Sequence, residues 1–188
     1  MLSEATVDSR SDLDLIAALN GGEAGAFDVL YFRHRDWVAA LALRFTGDHA
    51  LSMDVLQETF LYLLGKFPGF ALTCQLKTFL YPAVRNLSLA AKRKAERNQE
   101  SGPDLEDVEA ATSHEISGNE SVRDELSLVL ATLSETHREV LLLRFVDDLS
   151  LGEIALATEV PLGTVKSRLH HALEILRRDP RTRDLISE

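Results

Sequence analysis

The sequence predicts an all-α protein made of two small helical domains joined by a flexible acidic linker. Three observations predict it. Apolar residues recur at helical spacing in both halves of the 188-residue chain. Eleven of the twelve aromatic residues lie between Phe27 and Tyr81, leaving Phe145 alone beyond them, so two differently built cores are expected. Residues 99–120 hold seven acids, no Lys or Arg, and little apolar periodicity, the composition of a self-repelling linker. The expected parts are therefore 1–98, the linker 99–120, and 121–188.

In the first part, Ser11 caps a short helix that Gly21 and Gly22 close. From Glu23 a long stripe follows, with Phe27, Leu30, Tyr31, Trp37, Val38, Leu41 and Phe45 inward, ending at Gly47. Met53, Leu56, Phe60, Leu63 and Phe67 form the next stripe, broken by Pro68 and Gly69. Leu76, Phe79, Leu80, Val84 and Leu87 open a third long helix. Pro82 removes a hydrogen bond inside it and is expected to kink it.

In the second part, Val122, Leu126, Val129, Leu130 and Leu133 share one helix. Ser134 caps another, with Val140, Leu141 and Phe145 facing in. Ser150 and Glu153 are spaced as a capping box for a short helix containing Ile154, Ala155 and Ala157. After a break at 159–162, Val165, Leu169, Ala172, Leu173 and Leu176 line a longer helix. Short helix, tight turn and longer helix with a basic outer face is the helix-turn-helix plan.

Charge separates the function classes. The chain carries 20 Lys and Arg against 30 Asp and Glu, net −10, which as an average argues against nucleic acid. Residues 1–98 are neutral, however, 99–120 hold −7, and 121–188 hold −3. Positive charge is bunched at Arg85, Lys92, Arg93, Lys94 and Arg97, and again at Lys166, Arg168, Arg177, Arg178, Arg181 and Arg183. DNA binding is thus compatible with the acidity. The longest apolar run, Trp37 to Leu43, is too short to span a bilayer. The N-terminus lacks a signal-peptide pattern, and a cytoplasmic location is expected. The single Cys74 excludes an internal disulfide and a Cys-cluster zinc site. His170 and His171 are adjacent and point to different sides of a helix, so no metal site is indicated. No cofactor is called for, and without a nucleophile–base pair or paired carboxylates in a plausible pocket an enzyme is not expected.

The second helix of the helix-turn-helix offers Thr164, Lys166, Ser167, Arg168, His170 and His171 to phosphates and base edges. Residues 147–155 (DDLSLGEIA) and 163–169 (GTVKSRL), preceded by 137–145 (HREVLLLRF), closely resemble region 4 of bacterial sigma factors. Residues 54–60 (DVLQETF) are similar to the polymerase-docking signature of region 2. Phe79 to Tyr81, Arg85 and Asn86, and the basic residues after them resemble its −10-element segments. Residues 14–19 with Gly25 to Phe27 and Leu30–Tyr31 fit the start of that domain. Regions 2 and 4 alone, joined by a short linker, resemble the extracytoplasmic-function (ECF) group.

The resemblance implies that Asp54, Gln57 and Glu58 form one face docking on the clamp helices of the polymerase largest subunit. It places the loop from about Gly65 to Lys77 around a base flipped from the −10 element, with Phe67, Phe70 and Phe79 as available aromatics. The plainer expectation puts all three rings in the core. Arg85, Asn86, Lys92, Arg93, Lys94 and Arg97 would track phosphates of the melting strand; Thr164, Lys166, Ser167, Arg168 and His171 would read the −35 duplex. The resemblance also implies region 4 resting on the flap of the second-largest subunit, and an anti-sigma factor as partner. The linker's acids are expected to mimic nucleic acid in positive polymerase channels.

The chain departs from the family pattern in three places. Phe79 stands where tryptophan is usual, Ala90 and Ala91 where an aspartate usually precedes the basic pair, and Glu159 where the turn usually has glycine. A left-handed Glu159 would cost on the order of 1 kcal/mol. Three other readings stay open from the residues alone: a sigma-like decoy for an anti-sigma factor, a stand-alone regulator with a LuxR-like helix-turn-helix, and an enzyme.

Overall fold

The computed structural model describes residues 8–100 and 128–182, the side chains of 99 and 100 excepted. Every regular element among them is a helix, and the chain divides into two compact units, Met1–Gly102 and Pro103–Glu188.

The first unit is built from four helices. Helix α1 (Asp12–Asn20) starts with a capping box: the Ser11 hydroxyl accepts from the Asp14 amide, and the Asp14 carboxylate accepts from the Ser11 amide at 3.1 Å. Gly22, at φ 91, turns the chain into α2 (Gly25–Thr46). Gly47 ends α2 in the left-handed conformation glycine tolerates, its amide donating to the Leu43 carbonyl at 2.9 Å. Asp48 caps α3 (His49–Leu64) through the Leu51 amide. Helix α4 (Leu76–Glu100) runs through Pro82, which leaves the Thr78 carbonyl without its usual helical donor.

Helices α2, α3 and α4 each pack against the other two, and α1 lies against α2. Leu30, Val38, Val55, Leu63, Leu80, Tyr81 and Val84 fill the centre at essentially zero exposure. Burying each such leucine or valine is worth about 1.5–3 kcal/mol, which holds the long helices in register. Met53 is exposed, contrary to expectation; Val55, Leu56, Thr59, Phe60 and Leu63 form the inward face of α3.

In the second unit a helical turn over 128–131 precedes α5 (Glu135–Phe145), α6 (Leu151–Thr158) and α7 (Leu162–Arg178). Arg138 ties the first two together by donating to the carbonyls of Leu130 at 2.9 Å and Leu133 at 3.1 Å. The capping box of α6 is present: Glu153 accepts from the Ser150 amide at 2.8 Å, and the Glu153 amide donates to Ser150 Oγ. Glu159 closes α6 in the left-handed region, φ 56 and ψ 34. Val165 and Ala172 of α7 are buried, and Leu130, Leu169, Leu173, Ile175 and Leu176 pack around Leu133, Leu141 and Ala172. Phe145 is not inward as expected but 61% exposed. It lies roughly 140° around α5 from Val140, whereas Leu143 falls back beside it.

Helix α4 continues to Glu100, so it includes the first two residues of the expected linker. The remainder of the linker, with Val122, Leu126 and Arg183, lies outside the described residues.

Candidate nucleic-acid interface

Three surfaces collect the residues singled out above. The first is the outer face of α3. Asp54, Gln57 and Glu58 are exposed and lie within one turn of each other, and Leu61 follows seven residues after Asp54 on the same face. Leu61 is 66% exposed, and Leu64, exposed as well, lies one turn on, so acids and amide adjoin an apolar pair. Such a mixture suits a protein partner, because apolar area supplies attraction while the polar rim fixes register.

The second surface joins the end of α3 to α4 through stacked rings. Tyr62 and Phe79 stack with centroids 6.0 Å apart and planes 18° apart. Phe79 meets Phe70 at 4.8 Å, and Phe70 meets Phe67 edge-on at 5.5 Å. Phe67, Phe70 and Phe79 are all half-buried, so the expectation that they belong to the core is corrected. The core places beside them are taken by Leu63, Leu76 and Leu80. The Lys66 ammonium lies 4.3 Å from the Tyr62 ring centre, giving the ladder a cationic end. Partly open π-faces next to positive charge can stack bases and hold phosphates.

Along α4 the outward stripe continues from the ladder. Phe79, Asn86, Arg93 and Arg97 are spaced by seven, seven and four residues, which keeps them on one face over roughly 27 Å. Arg85 and Lys92 lie together on one flank of that stripe and Lys94 on the other. Ala90 falls inside it and is exposed, leaving room between the cations. The Arg97 guanidinium donates to the Arg93 carbonyl at 3.3 Å.

The third surface is α7. Thr164, Ser167, Arg168 and His171 follow the i, i+3, i+4, i+7 rule and form one face, with Thr164 and Arg168 half-buried and Ser167 and His171 exposed. Lys166 lies on the opposite flank with His170, four residues on. Not all the C-terminal basic residues are unopposed. The Arg181 guanidinium holds Asp179 at 2.7 Å and keeps that carboxyl below its usual range; Arg178 and His170 both approach Glu174, at 3.6 and 3.9 Å.

Sequence reasoning missed three contributors. Tyr62 and Lys66 extend the ladder, and their spacing from each other, i and i+4 across the end of α3, was a visible signal. His137 comes from α5 to within 6.0 Å of the His171 ring, while His170 lies 5.8 Å from His171. That pairing depends on how α5 packs on α7 and has no local signature. Among the described residues, no group of three or more His, Cys, Asp or Glu is arranged to hold a metal, and no helix is long and apolar enough to cross a membrane.

Comparison with known proteins bears on these surfaces. Residues 30–98 match the family described as sigma-70 region 2, and residues 123–176 the family described as sigma-70, region 4. The chain is 32% identical over 167 residues to the ECF RNA polymerase sigma factor SigL of Mycobacterium tuberculosis, covering 86% of this chain and 93% of that one. It is 27% identical over 177 residues to the ECF RNA polymerase sigma factor SigW of Bacillus subtilis, covering 88% and 95%. Among solved structures it is similar to the sigma factor RpoE of Bartonella quintana, crystallised with the anti-sigma factor NepR. That similarity has TM-score 0.61 and 25% identity over 86% of this chain and 96% of that one.

Proposed function

The chain belongs to the extracytoplasmic-function (ECF) family of RNA polymerase sigma factors, and from that premise we infer how its two helical units divide the work. The protein binds core RNA polymerase and directs promoter-specific transcription initiation. It is a regulatory protein; nucleotide transfer belongs to the polymerase, and this chain works in the cytoplasm without catalytic chemistry of its own.

Region 2, residues 1–98, captures the −10 element. The observation that carries this assignment is Phe79, which belongs both to the ring ladder and to the cationic stripe of α4. A base extruded from the duplex costs a few kcal/mol, and stacking on the ladder offsets that cost. Arg85, Asn86, Lys92, Arg93, Lys94 and Arg97 lead the adjoining phosphates away along α4. The face of Asp54, Gln57, Glu58 and Leu61 docks on the polymerase largest subunit.

Region 4, residues 121–188, places the face of Thr164, Ser167, Arg168 and His171 in the major groove of the −35 element, with Lys166 on phosphate, and rests on the flap of the second-largest subunit. An anti-sigma factor restrains the protein, as NepR accompanies the related RpoE. The linker 99–120 occupies positive polymerase channels. Replacing its acids by Ser or Gln should weaken polymerase binding, and unchanged affinity and initiation would remove that role.

The deciding experiment mixes the purified protein with core RNA polymerase and follows abortive transcription on a genomic-fragment library. Tight binding with defined start sites, sharing −35 and −10 sequences, is expected. Binding without transcripts would instead mark a decoy for an anti-sigma factor.

A further inference from the structure

Asn20, the last residue of α1, reaches across fifty positions to the loop that carries the ring ladder. Its side-chain Oδ1 accepts from the amides of Gly69 at 2.7 Å and Phe70 at 3.1 Å. Its Nδ2 donates to the carbonyl of Phe70 at 2.8 Å. One carboxamide thus satisfies three backbone groups of two consecutive residues, much as a neighbouring strand would. Gly69, at φ 94, adopts the left-handed turn that an L side chain resists, and the loop there presents both amides to the same acceptor.

Helix α1 is itself a fixed support. Leu15 and Ile16 are buried, and Asp12 is held by Arg33 at 2.6 Å and His34 at 2.8 Å on α2, which packs on α4. The chain of contacts runs from α4 through α2 and α1 to Asn20, and from Asn20 to Phe70. Phe79 stands on α4 and Phe70 on the loop that runs into it, so Asn20 adds a second tie between the supports of the two rings besides the chain itself.

We infer that Asn20 is a positioning residue for −10 capture: it touches no nucleic acid but holds the Gly69–Phe70 backbone so that Phe70 meets Phe79 in a base-accepting geometry. The inference rests on reading the ladder as the −10 site. A general backbone brace would serve stability alone; this one is exposed, lies at a helix end, and has its three bonds concentrated on one half of a ring pair.

The test uses full-length protein bound to core polymerase and a single-stranded non-template oligonucleotide taken from the strongest start site. That strand carries 2-aminopurine in the −10 element, and its fluorescence rises when the base leaves the stack. Asn20→Ala should lower strand affinity about tenfold and depress the fluorescence rise, without changing polymerase affinity. In a Phe70→Ala background the same change should add nothing, because the brace then has no ring to place. Asn20→Asp, which keeps the acceptor and loses the donor, should fall between wild type and Asn20→Ala. Wild-type strand affinity for Asn20→Ala, an effect fully additive with Phe70→Ala, or an equal loss of polymerase affinity would overturn the inference. If Phe70→Ala and Phe79→Ala themselves leave strand affinity unchanged, the reading of the ladder fails instead, whatever Asn20 does.

Discussion

The imidazole Nε2 of His34 sits 2.8 Å from Oδ2 of Asp12, joining the middle of α2 to the first turn of α1. The other carboxylate oxygen of Asp12 accepts from Arg33 at 2.6 Å. Burial pushes the Asp12 carboxyl up, but the hydrogen bonds from His34 and Arg33 outweigh it and leave the group below its ordinary 3.8. Nearby, the Arg10 guanidinium lowers Asp8 to about 2. A carboxyl depressed on folding stabilises the fold above its unfolded value and loses that contribution as pH falls through the folded one. Region 2 should therefore lose stability from about pH 4 downward, and Asp12→Asn should flatten that part of the curve. Trp37, the single tryptophan, lies in this unit, and its fluorescence during urea unfolding at pH 2–7 makes the comparison. Parallel curves for the two proteins would show that Asp12 does not carry the effect.

Glu159 provides a prediction of opposite sign. Its left-handed backbone, φ 56, is disfavoured for any residue with a Cβ, and the cap bond from its amide to the Ala155 carbonyl uses no side-chain atom. Glu159→Gly should stabilise region 4 by about 1 kcal/mol. Helix signal at 222 nm against denaturant reads it. No gain would mean that the glutamate side chain makes compensating contacts.

Phe79 bears on strand capture. Removing a stacking ring costs about 1–3 kcal/mol per base, so Phe79→Ala should weaken binding of the −10 strand by roughly five- to 150-fold. Phe79→Trp keeps the face and restores an indole donor, and it should open promoters at least as well as wild type. Permanganate footprinting of the melted region reports both. A Phe79→Ala protein that melts promoters normally would take this ring out of the site.

The two flanks of α7 separate in DNA binding. Arg168→Ala removes a side chain proposed to read a base and should cost about 1–3 kcal/mol at the −35 element while relaxing sequence preference. Lys166→Ala should weaken all duplexes alike and reduce the salt slope of binding by about one. Titrating −35 and scrambled duplexes at several salt concentrations distinguishes the two. Equal behaviour of both variants would mean that the flanks are not distinct.

What could be read from the chain follows the range of the interactions concerned. Ser11 with Asp14 and Ser150 with Glu153 signal helix starts because cap and partner are three residues apart, and both boxes form. Gly47 marks the end of α2 for an equally local reason. Helical periodicity also located most of the core, but it blurs near helix ends. Met53 and Phe145 fit an apolar pattern loosely, and in the fold Val55 and Leu143 hold the inward positions. The basic stripe of α4 was visible as composition. Its alignment with Phe79 was not, since that requires counting phase over eighteen residues through a proline. Least legible were Asn20 with Phe70 and His137 with His171, contacts between segments 50 and 34 positions apart that no local pattern encodes.

Helix α3 has a mechanical consequence. Leu61 and Tyr62 are consecutive, about 100° apart around the helix and about 1.5 Å along it. The first points out on the face of Asp54, Gln57 and Glu58, and the second begins the ring ladder. Under the proposed assignment, polymerase and promoter strand are gripped by neighbouring sides of a single rod with no hinge between them. Under that same assignment, a tilt imposed on α3 by the polymerase would carry Tyr62 and its partner ring with it, so the factor seated on its enzyme and the factor alone would be two differently set instruments for reading the same letter.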